Sequence, residues 1–263
     1  MKVLILCGGM GTRLREYTEL RPKPMVEIGG RPILWHLMKL YAHYGMDDFI
    51  LCLGYKGHVI KEYFLNYEAM NSDFTVALSA SRSVTYHAKA HGESSWKVTL
   101  ADTGEKTMTG ARVRRGARYL GDSQETFCVT YGDGVADVDL KAAYAFHRAH
   151  GKLATVTGVR PPSRFGELTL DGGRVACFSE KPQLGNGLIN GGFFFFEPAF
   201  IEKYLSGEAS CVLEHEPLQR LARDGELFVY KHAGCWQCMD TYRDWEHLEK
   251  LWQEGAAPWK VWP

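Results

Sequence analysis

The sequence predicts a single α/β domain built on a mixed, mostly parallel sheet with antiparallel insertions. Three observations carry this expectation. The first half alternates buried-type strand runs with helical stripes. That rhythm breaks near residues 73–102 into strand signals without helices. The 263 residues contain no linker, repeat or low-complexity stretch, and 45% hydrophobic residues provide for one sizeable core, so residues 1–263 are assigned to one domain.

Taken in order, Lys2 to Cys7 is a continuous apolar run of the kind buried in a parallel sheet, and a glycine-rich turn follows. Ile33, Leu34, Leu37, Met38, Tyr41 and Tyr44 form a helical stripe over 33–44 that Gly45 can end. Phe49 to Gly54 reads as the next buried strand and Val59 to Tyr67 as the next helix, implying right-handed βαβ units with both sheet faces covered. From about Asp73 to Asp102, FTVALS, SVTYH and WKVTL suggest an antiparallel insertion. The α/β rhythm resumes with a strand over Thr126 to Tyr131 and a helix over Leu140 to His150. Leu168 to Phe178 predicts a hairpin turning at Asp171-Gly172-Gly173. Phe193 to Phe196 is a strand that must be buried, because exposed it would promote aggregation. Tyr242 to Gly255 predicts a last amphipathic helix.

Composition excludes several functions. Lys plus Arg and Asp plus Glu both number 31, so no overall field favours nucleic acid or an anionic membrane, and basic chemistry must be local. No apolar stretch approaches the roughly 18 residues of a membrane span. The first apolar run is too short for a signal peptide. Seven scattered cysteines, four of them in strand-like runs (Cys7, Cys52, Cys128, Cys177), suit reduced thiols in a cytoplasm.

The chemistry begins at Gly8-Gly9-Met10-Gly11-Thr12-Arg13, directly after the first strand. Such a turn can aim backbone amides at phosphates. It makes the first half a Rossmann-like nucleotide-binding half, although two standard loops fit poorly. A Walker A loop ends in Gly-Lys-Ser/Thr, whereas this one ends in Gly-Thr-Arg. A dinucleotide fingerprint needs Gly or Ala where Leu14 stands. A plain structural turn and a loop that carries its own arginine to a triphosphate both stay open on these residues alone. Arg21-Pro22-Lys23-Pro24-Met25 then sets Lys23 between two prolines, in a segment expected to be stiff and extended. Arg13 and Lys23 would bring two cations to one site.

On these motifs the chain resembles the sugar-1-phosphate nucleotidylyltransferase family, whose signature is a GGxGTRL loop followed by KPM. The blocks PKPMVEIGGRPILWH, GYKGHVIKEYF, TYGDGVAD, RFGELTL, EKP, INGGFF and WQEGAAPWK resemble the glucose-1-phosphate cytidylyltransferases within it, over essentially the whole chain. The resemblance implies CTP and glucose 1-phosphate as substrates, Mg²⁺ as cofactor, a role in nucleotide-sugar and O-antigen synthesis, and a homo-oligomer, often a hexamer. It implies a nucleotide site around Leu6, Cys7, Gly8, Gly9, Gly11, Thr12, Arg13 and Lys23, with Tyr131 and Gly132 nearby. It also implies that Asp133 and Asp240 converge on the metal, a pairing that spacing alone does not reveal. Two hard carboxylates would suit Mg²⁺, which keeps phosphate oxygens and water as its other ligands.

On the acceptor side the resemblance places Glu180, Lys181, Asn190 and Gly192 against the sugar phosphate; Tyr131 and Trp236 read either as an apolar wall for the sugar or as plain core. Thr107 and Arg112 would reach nucleotide groups, although Met108-Thr109-Gly110-Ala111-Arg112 has alanine where the family's MTGGR has its second glycine. For Asp133 a turn-forming role competes, and for Asp240 a helix N-cap. His232, Cys235 and Cys238 have metal-like spacing, but no second Cys-x-x-Cys completes a closed zinc site. A thymidylyl- or uridylyltransferase, and a non-catalytic nucleotide-sugar sensor, are the alternatives to cytidylyl transfer.

Overall fold

The computed structural model describes residues 1–11, 18–78, 83–87, 92–122, 124–160, 167–171, 174–179 and 187–263. Its first strand, β1 (Lys2–Cys7), leads to a small hairpin of β2 (Glu27–Ile28) and β3 (Arg31–Pro32), and then to helix α1 (Ile33–His43). Ile33, Leu34, Leu37, Met38 and Tyr41 are the buried stripe of α1, and Gly45 ends it with φ +77°, a conformation open to glycine at little cost. Strand β4 (Asp48–Leu53) pairs in parallel with β1. Helices α2 (Gly57–Leu65) and α3 (Tyr67–Asn71) follow, then β5 (Asp73–Ala77), β6 (Ser83–His87) and β7 (Lys97–Asp102).

The stretch expected to be one antiparallel insertion divides here. β5 and β6 do pair antiparallel, in a hairpin of their own. β7 instead pairs in parallel with β4 along its whole length and forms the edge of the main sheet. Period-two alternation marks a strand but does not encode its direction, and the two short helices α2 and α3 supply part of the crossover that a parallel pair requires.

After α4 (Thr109–Ala117) the chain crosses to the other side of β1. Strand β8 (Phe127–Tyr131) pairs there in parallel, and β9 (Gly134–Ala136) follows it. Helix α5 (Leu140–His150), β10 (Ala154–Val159) and the expected hairpin of β11 (Glu167–Asp171) and β12 (Arg174–Ser179) come next, with Gly172 and Gly173 outside the described residues. β13 (Ile189–Phe196), α6 (Ala199–Tyr204), α7 (Glu216–Arg223), β14 (Leu227–Lys231), β15 (Trp236–Cys238) and α8 (Tyr242–Gln253) complete the chain. The main sheet has seven strands in the order β14-β10-β13-β8-β1-β4-β7, and β13 alone runs against the rest. This is the mixed, mainly parallel sheet the sequence predicts.

Strand periodicity divides the core. Val3, Ile5 and Cys7 of β1, with Phe193 and Phe195 of β13, face one layer that includes α1, α2, α5 and α8. Leu4, Leu6, Phe194 and Phe196 face the other, with α4, α6 and α7. The four consecutive phenylalanines are each 2% exposed or less, so the apolar run is buried on both faces as a central strand requires. Each such side chain contributes roughly 1.5–3 kcal/mol.

The first layer also buries a histidine. His36 packs edge-on against Trp252 and lies beside Trp35, Trp259 and Trp262, which closes the C-terminal tail onto α1. Nε2 donates to the Ile28 carbonyl at 2.9 Å, and Nδ1 accepts from Trp259 Nε1 at 3.4 Å. Both ring nitrogens are thus satisfied in the neutral form. Burial holds the imidazole down to about 4, against the pull of its backbone hydrogen bonds.

This histidine makes stability depend on pH. The unfolded chain takes up a proton near pH 6.5, whereas the folded one takes it up only near pH 4. Stability is therefore complete above pH 6.5 and falls as the pH drops between these values, by about 2 kcal/mol at pH 5. Urea unfolding at pH 7 and pH 5 should show this loss. His36→Gln should flatten most of the slope, leaving the part due to His147 and His150, which burial also holds low.

Candidate active site

The chain passes from β1 outward to β4 and β7, then returns to β8 on the opposite side of β1. Loops at the C-terminal ends of β1 and β8 consequently diverge and leave a crevice, the usual ligand site of an open α/β sheet. A cleft of about 670 Å³ opens there, lined by Leu6, Gly8, Gly9 and Gly11 after β1 and by Tyr131, Gly132 and Asp133 after β8. Lys23, Asp240, Thr107 and Arg112 also line it.

Its floor is a triad of charges. Lys23 Nζ lies 2.7 Å from Asp133 Oδ2 and 2.5 Å from Asp240 Oδ1. Each member arrives by a separate local device. Pro22 is extended, but Lys23–Met25 forms one turn of 3₁₀ helix instead of the expected extended segment, closed by Met25 N–H on Pro22 O at 2.8 Å. Asp133 follows β8 directly. β9 pairs antiparallel with β15, Gly134 opposite Cys238, and Met239 N–H donates to Asp133 O at 2.9 Å, which sets Asp240 beside Asp133.

Asp240 is not the N-cap of α8. That role belongs to Thr241, in a reciprocal capping box with Asp244, and the Asp240 carboxylate is left to Lys23. Lys23 is 8% exposed. Burial alone would lower its pKa, but the two carboxylates, Asp133 foremost, outweigh it and hold the ammonium above its ordinary value. The Cys238 thiol, 3.7 Å from Asp240, is pushed up to about 12 by burial and then by the neighbouring carboxylates, so it is protonated at neutral pH. Two hard oxygen donors already gathered on one cation fit a hard divalent ion that keeps phosphate and water ligands.

One wall is held by Arg112, 4% exposed. Nη1 donates to Leu53 O (3.0 Å), Thr103 Oγ1 (2.9 Å) and Gly104 O (2.8 Å), and Nη2 to Gly8 O and Glu105 O at 3.0 Å each. This residue, expected to reach nucleotide groups, directs these donors at four backbone carbonyls and one threonine hydroxyl around the cleft. A Cβ at Gly8 or Gly54 would overlap its guanidinium, so these glycines make room for an arginine as well as for a ligand. The Leu6 carbonyl accepts from Gly132 N–H at 3.1 Å and retains one lone pair for a base, whereas Gly8 O accepts from both Arg112 Nη2 (3.0 Å) and Tyr55 N–H (3.4 Å). Thr107 Oγ1 accepts from Arg115 Nη1 at 2.7 Å.

On the acceptor side, Asn190 Nδ2 donates to the Tyr131 hydroxyl at 3.1 Å, and its Oδ1 accepts from Gly192 N–H at 2.8 Å. Gly192 has φ +82°, and the Tyr131 ring fills the space of its missing Cβ. Trp236 Nε1 donates to Gly191 O at 2.7 Å. Glu214, which no motif marks, accepts from the Tyr131 hydroxyl. The only sequence signal for it was indirect: a half-buried tyrosine needs an acceptor. Thr12, Arg13, Glu180 and Lys181 lie outside the described residues. His232 pairs with Asp137 at 2.9 Å, burial pushes Cys235 up to about 11, and no cluster of three or more His, Cys, Asp or Glu forms a metal site among the described residues. No helix among them is long and apolar enough to cross a membrane.

Residues 2–238 match the family described as nucleotidyl transferase. The chain is 52% identical over 262 residues to a glucose-1-phosphate cytidylyltransferase of Salmonella typhi, covering 100% of both chains. It is 46% identical over 263 residues to a Bacillus subtilis protein named "Probable glucose-1-phosphate cytidylyltransferase", again covering 100% of both. Among solved structures, HddC from Yersinia pseudotuberculosis has the same fold with a TM-score of 0.66 at 23% identity, covering 95% of this chain and 99% of its own.

The Arg112 network can be tested without a substrate. Arg112→Met should lower the unfolding free energy by about 3 kcal/mol, since it leaves buried carbonyls unpaired. Arg112→Lys should recover less than half of that, because one ammonium cannot span the planar fork. Urea unfolding of the three proteins measures both differences.

Proposed function

The chain belongs to the nucleotidyl transferase family and is an enzyme, and on that premise we propose that it transfers the cytidylyl group of CTP to glucose 1-phosphate, releasing pyrophosphate and forming CDP-glucose. The observation that carries this is the charge triad at the sheet crevice, in a chain that matches a cytidylyltransferase over its whole length. An oxygen of the sugar phosphate attacks the α-phosphorus of CTP in line, and the bond from that phosphorus to the pyrophosphate oxygen breaks. The attacking oxygen is already an anion, so no general base is required. The remaining task is positioning and charge neutralisation.

Lys23 supplies a cation fixed at the cleft floor. Arg13 and Lys181 add two more in this proposal, Arg13 on the triphosphate and Lys181 on the sugar phosphate. Asp133 and Asp240 would hold the divalent ion, Mg²⁺, which when bound offsets the charge gathered on the phosphates. Glu180 and Asn190 would meet the sugar hydroxyls. A non-catalytic sensor would have no need to keep Lys23, Asp133 and Asp240 in contact. Cytoplasmic residence and a homo-oligomer, a hexamer by resemblance, are part of the same proposal.

Base choice separates the proposal from thymidylyl and uridylyl transfer. Cytosine offers an exocyclic amine where uracil and thymine offer an acceptor, so a carbonyl aimed at that edge rewards one base and is left unpaired by the others. With equimolar CTP, UTP and dTTP, glucose 1-phosphate and Mg²⁺, CDP-glucose should dominate by at least roughly tenfold, about 1.4 kcal/mol. Chelating the metal should abolish the product. A dominant UDP- or dTDP-glucose peak would assign the chain to the other base.

A further inference from the structure

The acceptor side of the cleft contains a chain of hydrogen bonds whose direction is fixed at both ends. Glu214 lies half-buried just before α7. Its Oε2 accepts from Thr109 Oγ1 at 2.6 Å, and its Oε1 accepts from the Tyr131 hydroxyl. A carboxylate only accepts, so the single Tyr131 proton points at Glu214 and the phenol oxygen faces Asn190 as an acceptor. Asn190 Nδ2 donates to it at 3.1 Å. At the far end Asn190 Oδ1 accepts from Gly192 N–H, a donor that cannot reverse. The amide is therefore locked against flipping, and its second N–H, on an exposed side chain bonded to cleft-lining Tyr131, is the group it offers outward.

We propose that Glu214 is a positioning residue for the sugar phosphate: through Tyr131 it makes Asn190 present an N–H, not a carbonyl, to an oxygen of the hexose. This rests on the cytidylyl-transfer proposal above. Glu214 does not itself line the cleft, so it acts through Tyr131 and Asn190. Replacing it by leucine removes both acceptor oxygens, so the Tyr131 proton loses its acceptor and is free to turn toward Asn190. Glutamine is the conservative variant: its carbonyl can still accept from Tyr131 while its amine meets the second lone pair of Thr109 Oγ1, which already accepts from Leu213 N–H at 2.9 Å.

Steady-state kinetics of Glu214→Leu, Tyr131→Phe and the double variant test this. Each single change should raise KM for glucose 1-phosphate about fivefold or more and leave KM for CTP within twofold. The double variant should be no worse than the weaker single, because both substitutions cut one chain. A role confined to anchoring α7 would shift both KM values together, or leave Tyr131→Phe unchanged, and either result overturns the proposal; so does an additive double variant. If Glu214→Leu fails to fold, Tyr131→Phe and Glu214→Gln together carry the test: the first should raise KM for glucose 1-phosphate, and the second, whose carbonyl still accepts from Tyr131, should leave it within twofold, the reverse result overturning the proposal. Wild-type turnover with CTP and glucose 1-phosphate tests the underlying function. The variant ratios, measured with whichever nucleotide and sugar 1-phosphate the wild type uses best, test Glu214 separately.

Discussion

Two carboxylates can share the floor of this cleft only because a buried ammonium lies between them. Without Lys23, Asp133 and Asp240 would face each other partly withdrawn from water, and like charges at that range raise each other's cost. Without the aspartates, Lys23 would be an unpaired buried charge. The geometry of the sheet edge follows from this mutual need. The 3₁₀ turn after Pro22, the end of β8 and the β9–β15 ladder belong to distant parts of the sequence, and the ion pairs join all three at one point.

Arg112 does the corresponding work on the opposite wall. Its guanidinium gathers carbonyls from the β1 loop, the end of β4 and the segment after β7. The cleft is thus bounded by fixed cations on two sides before any substrate enters. Fixed charges that need not reorganise are what phosphoryl chemistry requires, because positioning and electrostatic neutralisation supply most of the rate. The same rigidity explains why the glycines matter twice: Gly8 lets a ligand approach the backbone and leaves room for the arginine that holds the loop.

Much of this was legible in the sequence, for identifiable reasons. Buried parallel strands read as continuous apolar runs, so β1, β4, β8 and β13 stood out, and five of the six residues of the α1 stripe are buried, while buried His36 and Leu40 fell outside that stripe and half-buried Tyr44 lies just past the helix. The direction of β7 was not legible, because alternation is the same for parallel and antiparallel strands. The approach of Asp240 to Asp133 came only through family resemblance, since the pairing depends on a three-residue ladder, β9 with β15, that leaves no local pattern. The structural use of Arg112 and the presence of Glu214 were hidden for a similar reason: hydrogen bonds to backbone carbonyls, or to one tyrosine, carry no motif.

The most direct test is the stability of the triad itself. Lys23→Met should lower the urea unfolding free energy by about 2–3 kcal/mol, less than for a fully buried pair because Asp133 is 34% exposed. The triple variant Lys23→Met, Asp133→Asn, Asp240→Asn should recover at least half of that loss by removing the charges left unpaired. A Lys23→Met protein as stable as the wild type, or a triple variant less stable than the single, would contradict the claim that this ammonium holds the two carboxylates in the cleft.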